Sequence, residues 1–528
     1  MHRLSGLDAM FLYLETAQTP MHIAGLAICE PPRGYHGHPF EEFKAQVISR
    51  LHEVPSFKRV LKPTPLRLDH PVWVEAEALD LDYHFRKAAL PKPGSWKQLM
   101  TMVEHLHMQL LDRKRPLWQY HVIEGLEGGR FALYLKTHHA CLDGGGGVLA
   151  LDIVSDREPK PRDPYPKPEI RLGAPRKPGF FELLGLSFGS IIQQQFDAVA
   201  SVPAGVRALR NVVRSAIKDR TWDLNAIKPA PRSIFNDRVG RRRAFATGTF
   251  PVAEMKLMGK AAGATLNDIV LSICAGALRR YLDERNQAPT ESLVAAVPVS
   301  MREVGDTNQS NQVASIFPRI GSHITDPLER LAYVAQSTKR AKSQMADVRE
   351  IVPRDFSIVG APALAPLIWQ IVEWTGVNTM VPSIMNVAIS NVPGSRRPMY
   401  FAGIEVKEFY PVSIATHGVA LNITVQSYVD RMDFGITTCR DICPDVQKLA
   451  DLMMEEFNAL KAALMKQVAK AEREKPQPDA PKKKAKATAA AKPRKAAKPR
   501  ATKAPVEVPA EAEAVAPALN GSANGVAS

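Results

Sequence analysis

Apolar positions in the first part of the chain switch between two spacings. Asp8 to Glu15 reads as a short helix, and Pro20 to Ile28 as a core strand. Phe40 to Val54 and Ser95 to Leu111 place apolar residues every three or four positions, predicting amphipathic helices. Trp118 to Ile123 and Arg130 to Lys136 are short apolar and aromatic runs. The Glu124–Gly129 turn between them predicts a hairpin that leads to His138. Val148 to Val154 predicts another helix. A second half begins near Phe235, with an apolar helix at Ile269 to Leu278 and a buried strand at Leu293 to Val299. A strand and turn follow at Asn386 to Gly394, a hairpin at 421–428 and 432–436, and a closing helix from Pro444 to about Val468.

Two stretches break this order. Asp156 to Lys177 is rich in Pro, Lys and Arg with no periodicity, predicting a crossover linker. Phe180 to Ile217 regains helical spacing, with Arg207, Arg210 and Arg214 on one side, as either a solvated face or a membrane-surface contact. The longest apolar stretch, Phe356 to Trp374, contains Pro362 and Pro366 and carries Glu373. It predicts a helix on an apolar surface rather than a membrane span. The chain therefore divides into residues 1–155, a linker at 156–232, a second half at 233–468 and a tail at 469–528.

One connection concentrates candidate chemistry. Thr137-His138-His139-Ala140-Cys141-Leu142-Asp143-Gly144 joins a predicted strand to a glycine-rich helix start. A neutral imidazole on such a loop can take a proton from a hydroxyl as it attacks an acyl carbon. Asp143 could fix the ring tautomer or brace the loop through an arginine. The alternative is a buried, hydrogen-bonded histidine pair beside a capping aspartate.

Composition adds two constraints. Of 528 residues, 45% are hydrophobic and 23% charged, as in a soluble globular protein. Five scattered cysteines form no disulfide framework or zinc spacing, which points to a reducing cytosol and no metal. Cys141 reads as a packed, inert thiol. The N-terminus lacks the regions of a signal peptide. The net charge of +15 lies mostly between Lys475 and Pro505, where 11 Lys or Arg face one acid, Asp479. That Lys/Ala/Pro-rich segment cannot bury a core and predicts a disordered basic tail.

His138-His139-x-x-x-Asp143-Gly144 resembles the HHxxxDG signature of the bacterial wax ester synthase/acyl-CoA:diacylglycerol acyltransferase (WS/DGAT) family, within the CoA-dependent acyltransferase superfamily. Further elements follow in the family's order. They are the Leu7 to Leu12 opening and Pro20-Met21-His22-Ile23, Pro116-Leu117-Trp118, Leu266-Asn267-Asp268, Pro298-Val299-Ser300-Met301-Arg302 and Ser390-Asn391-Val392-Pro393-Gly394. Ser310-Asn311 stands where the family has Gly-Asn. The resemblance covers residues 5–465.

It implies a mixed α/β fold of two chloramphenicol-acetyltransferase-like domains with a channel between them. The implied reaction moves a long-chain acyl group from acyl-CoA, as co-substrate and without a cofactor, to diacylglycerol or a long-chain alcohol. His139 would be the general base and His138 would position it. Asp143 would pair with Arg302, Gly144 would let the chain turn, and Asn267 would support the oxyanion. The implied location is the cytoplasm, peripheral to the inner membrane face or lipid inclusions. The tail, outside the resemblance, predicts by its charge a contact with anionic lipid or DNA. Two alternatives stay open, a condensation-type acyltransferase using carrier proteins and an inactive lipid-body coat protein.

Overall fold

The structure is a computed structural model and describes residues 2–142, 144–160, 178–189, 228–300, 313–348, 361–375 and 382–473. Asp143, Arg302, Arg207, Arg210, Arg214, Ser310-Asn311 and the tail beyond 473 lie outside the described residues. The chain begins with β1 (His2–Arg3), α1 (Gly6–Leu14), β2 (His22–Glu30), α2 (Pro39–Arg50), β3 (Arg59–Lys62) and β4 (Val72–Glu75). Next come α3 (Leu81–His84), β5 (Phe85–Ala89), α4 (Trp96–Met108), β6 (Trp118–Leu126), β7 (Arg130–His138) and α5 (Gly144–Val154). After α6 (Phe180–Gly189) come β8 (Arg243–Pro251), α7 (Val252–Ala262), α8 (Leu266–Asp283), β9 (Ala295–Ser300), β10 (Val313–Ile316) and α9 (Pro327–Val348). The last elements are α10 (Ala361–Thr375), β11 (Val387–Val392), β12 (Tyr400–Phe401), β13 (Ile404–Val412), β14 (Leu421–Tyr428), β15 (Arg431–Cys439) and α11 (Val446–Arg473).

Two six-stranded mixed sheets organise these elements, in the orders β12-β13-β2-β7-β6-β5 and β10-β9-β11-β14-β15-β8. A small sheet, β1-β4-β3, stands beside them. Local chemistry sets the main pieces. The β6–β7 hairpin turns through Gly125, Gly128 and Gly129, all at positive φ, which side chains with a Cβ rarely adopt. Ser95 and Gln98 close a capping box on α4, and Thr265 and Asp268 close one on α8. Strand β7 is buried on both faces, so Phe131, Leu133 and Leu135 enter one core cluster and Ala132 and Tyr134 another.

The structure departs from the sequence reading at three points. The helix predicted from Val148 begins at Gly144, because the four glycines join its first turn. Asp156, placed at the start of the crossover, is a buried anchor. Arg50 Nη2 donates to it at 2.6 Å and Gln46 Nε2 at 3.1 Å, while its backbone pairs with Tyr400. Strands β12 and β13 lie late in the chain yet complete the first sheet: β13 pairs with β2 from Glu405↔Glu30 to Val412↔Ala24, and β12 pairs with β13.

That crossing strand sews the two sheets together. Asp433 on β15 is fully buried and takes hydrogen bonds from Thr249 Oγ1 at 2.6 Å, Arg431 Nε at 3.1 Å and the Phe409 N–H of β13 at 3.1 Å. Glu104 on α4 accepts the Phe245 N–H of β8 at 3.0 Å and pairs with Arg440. Gly435 on β15 faces β13 so closely that a Cβ would lie 1.8 Å from the Pro411 carbonyl oxygen. Gly435→Ala is therefore expected to force the sheets apart and cost about 1–3 kcal/mol. Denaturant unfolding measures this, and an unchanged midpoint would refute the close approach.

Candidate active site

Helix α1 carries Phe11, and Glu15 follows at its C-terminal boundary. Four residues apart, they share a face. Each meets one of the two successive histidines at the end of β7. Phe11 stacks on His139, with ring centroids 4.0 Å apart and planes 12° from parallel. Glu15 Oε1 lies 3.2 Å from His138 Nε2. The two imidazoles diverge because the strand ends between them: His138 N–H donates to Leu117 O and His139 N–H to Met21 O, both at 2.9 Å.

His138 is fully buried, and its ring is committed to structure. The Ala140 N–H donates to Nδ1 at 3.0 Å, which assigns the ring proton to Nε2, facing Glu15. His22, directly opposite His138 across the β2–β7 ladder, brings its own Nε2 to 3.1 Å from the same carboxylate oxygen. Both contacts are short but off the line of an aligned hydrogen bond, so charge and dipole hold them more than geometry does. Arg113 completes the set, donating Nε at 3.1 Å and Nη2 at 2.8 Å to Glu15 Oε2. Burial alone would push the Glu15 carboxyl up; the two imidazoles outweigh it and hold the group well below the usual carboxylate range.

Sequence reasoning missed Glu15. The available signal was one carboxylate closing an otherwise apolar helix just before a core strand.

Behind this hub the polar groups are buried and neutralised. Burial drives His22 down to about 4, against the pull of Glu15. His107 is held well below its ordinary value for the same reason, and its Nε2 donates to Ser413 O at 2.9 Å. Lys136 caps the end of α4 by donating to Leu106 O at 2.9 Å and Gln109 O at 2.8 Å, and burial lowers it to about 7. Burial, then the Asp8 charge, raises the Cys141 thiol, which suits packing and not thiolate chemistry.

The remaining motif residues take distinct places. Trp118 is sandwiched between Phe57 and His84, at centroid distances of 5.0 and 4.1 Å, and donates Nε1 to Phe57 O at 2.9 Å. Pro116-Leu117-Trp118 thus supports the His138 backbone through packing. Gly144 meets the second sheet, where a Cβ would lie 2.9 Å from Val392 Cγ2 in the Ser390-Asn391-Val392 strand. Gly394 is closer still, 2.0 Å from the Ser427 carbonyl oxygen by the same measure. Asn267 sits half-buried in the first turn of α8, in the second half of the chain. It is not the cap, since Thr265 and Asp268 perform that role and Thr338 Oγ1 also binds Asp268 at 2.6 Å. Among the described residues no group of His, Cys, Asp and Glu is arranged to hold a metal ion.

Similarities to known proteins bear on this geometry. Residues 4–270 match the wax ester synthase/diacylglycerol acyltransferase catalytic domain, and residues 309–461 match the WS/DGAT C-terminal domain. The chain belongs to the WS/DGAT family. A putative diacylglycerol O-acyltransferase of Mycobacterium tuberculosis is 35% identical over 87% of this chain and 100% of its own length. The O-acyltransferase WSD of Acinetobacter baylyi is 33% identical over 88% and 98%. The solved wax ester synthase/diacylglycerol acyltransferase of Marinobacter aquaeolei VT8 superposes with a TM-score of 0.61 at 29% identity, covering 88% of this chain and 99% of that one. The first condensation domain of the calcium-dependent antibiotic synthetase shares the fold, with a TM-score of 0.54 at 14% identity over 88% and 96%. The expected pair of mixed α/β domains is therefore that of the WS/DGAT family.

Burying neutral histidines makes a WS/DGAT site of this kind acid-sensitive. His22 titrates at about 4 when folded and near 6.5 when unfolded, so between those values the unfolded chain binds more protons. Stability should be complete above pH 6.5 and fall by about 3 kcal/mol from His22 alone as pH drops to 4. The depressed Glu15 acts in the same direction below its unfolded value of 4.5. Unfolding free energies measured from pH 4 to 8 check this, and a flat profile over the acid limb would contradict it.

Proposed function

We propose that this chain is an O-acyltransferase that moves a long-chain acyl group from acyl-CoA to diacylglycerol, giving triacylglycerol, or to a long-chain alcohol, giving wax ester. Membership of the WS/DGAT family supports the activity. The division of labour between the two histidines carries the mechanism. His138 is spent on Glu15, while His139 is half-exposed on a Phe11 ring, at the end of a rigid strand.

In this reading the acceptor hydroxyl loses its proton to His139 as its oxygen attacks the thioester carbonyl. The tetrahedral oxyanion then collapses, breaking the carbon–sulfur bond, and the imidazolium returns its proton to the departing CoA thiolate. No acyl group is attached to the protein, and acyl-CoA is the sole activated co-substrate. Asn267 is proposed to support the oxyanion, and Asp143 with Arg302 to brace the loop.

The Glu15 hub keeps the proton of His138 on Nε2 and so fixes the backbone from which His139 projects. The enzyme is proposed to be cytoplasmic and peripheral to a membrane or lipid inclusion, a contact that its apolar substrates favour. The basic tail beyond Lys475 carries no aromatic residue to stack on bases, so its attraction is electrostatic and unspecific; an anionic lipid surface is proposed over DNA because the substrates are there.

Purified protein given labelled palmitoyl-CoA with diacylglycerol or hexadecanol should form labelled triacylglycerol or wax ester. His139→Ala should lower that turnover on the order of 10² to 10⁴-fold without unfolding the chain. Near-normal turnover in a folded His139→Ala protein would sink the assignment. Truncation after Arg473 should leave turnover on detergent-dispersed substrates intact and weaken binding to anionic vesicles at low salt. A truncated chain that binds vesicles and DNA as tightly as the full one would reduce the tail to a passive extension.

A further inference from the structure

Helix α10 presents an apolar face to water. Leu364, Leu367, Ile368 and Ile371 are each more than half exposed, and Trp374 is 83% exposed. Their spacing is that of one helical stripe. The opposite side packs on α1 and on the turn Pro65–Arg67, while Trp369 turns inward toward His417, ring centroids 6.2 Å apart. Each neighbouring element also exposes an apolar side chain: Leu66 on the turn is 80% exposed, and Met10 on α1 is exposed too.

Charge around this patch is predominantly positive. Arg67 lies on the same turn, Lys62 just before it, and Lys114 beside Arg113; all are exposed. The sequence of α10 carries one acid, Glu373, and the exposed Asp112 is paired with Arg115. Among the described residues no helix is long and apolar enough by itself to cross a membrane, so the stripe suits a helix lying along a surface.

The stripe also borders a cavity. Pro366 and Gln370 of α10 line a cleft of about 430 Å³ together with Leu12, Leu111, Glu15 and Arg113. That cleft reaches the carboxylate that holds His138, one residue before the proposed base.

We infer that the outer face of α10, with Leu66 and Met10, docks on an anionic lipid surface and opens the α1–α10 cleft toward it. The inference rests on the proposed acyl transfer, because lipid substrates give such a docking face its use. Aliphatic residues enter the acyl region, Trp374 sits at its boundary, and Arg67, Lys62 and Lys114 meet the headgroups. An apolar substrate can then leave the lipid phase beside Leu12 and Leu111 without crossing water.

The test uses the full chain and vesicles of phosphatidylcholine with and without phosphatidylglycerol, at about 0.5 M salt so that long-range attraction by the tail is screened. The triple variant Leu364→Ser/Ile368→Ser/Ile371→Ser should bind the anionic vesicles at least about tenfold more weakly than the natural chain. Brominated lipid should quench the fluorescence of the natural chain, and Trp374→Phe should remove much of that quenching. Equal binding by the triple variant would overturn the surface, as would equal quenching in both proteins. So would a natural chain that is dimeric through this face, with the triple variant monomeric and vesicle binding unaltered.

Turnover is read separately with water-soluble hexanoyl-CoA and a short alcohol in the absence of lipid, where the triple variant should match the natural chain. A chain that docks on vesicles but transfers no acyl group would count against the acyl-transfer reading and leave the surface standing.

Discussion

A carboxylate moved out of water must be compensated where it lies, and in this fold Glu15 draws its surroundings into place by that requirement. Its side chain is almost inaccessible, yet it meets His22, His138, Arg113 and the Met21 N–H. Those partners come from β2, from the end of β7 and from the loop after α4. One buried charge therefore fixes the relative positions of three segments that hydrophobic contact alone could hold in several registers. The same helix that carries Glu15 carries Phe11. Satisfying the carboxylate therefore also seats the ring that stacks on His139.

The two sheets are joined by polar and steric matches as well as by a shared core, in which Phe245 of β8 packs with Leu26, Ile28 and Tyr134 of the first sheet. Asp433 and Glu104 each accept backbone N–H groups from a strand of the other sheet or its flank. Arg243, almost wholly buried, donates to Gly240 O at 2.7 Å and to Ala415 O at 3.3 Å, and also bonds Gln18 O in the segment just after Glu15. Gly144 and Gly435 remove the Cβ atoms that would hold the halves apart. The helix that starts at Gly144 can then rest against Val392, so a motif of the first half meets a motif of the second.

Apolar surface is distributed unevenly over this scaffold. The second core is dense and includes most of α8, whereas α10 leaves a stripe of aliphatic side chains in water. Sequence periodicity reads both as apolar helices, because hydrophobicity reports a preference for leaving water and not the identity of the neighbour. The sequence predicts α10 as a helix on an apolar surface; one side packs on the protein and the other faces outward.

The sequence alone determined the main helices and strands of the first half and several of the second, the hairpin leading to His138 and the concentration of chemistry at residues 138–144. Spacing, glycine placement and capping residues act over a few positions, and those forces are legible one window at a time. Motif order then pointed to the WS/DGAT family and its two-domain fold. Only the tertiary structure decided what the two histidines have become, one held by Glu15 and Ala140 and the other resting on Phe11. It also decided that β12 and β13 complete the first sheet and that Asp156 is an anchor. Most of these outcomes depend on partners roughly 100 to 380 residues apart, as with Arg50 and Asp156 or Glu30 and Glu405. Local sequence carries no record of which distant group will arrive to satisfy a buried charge or an unpaired strand edge.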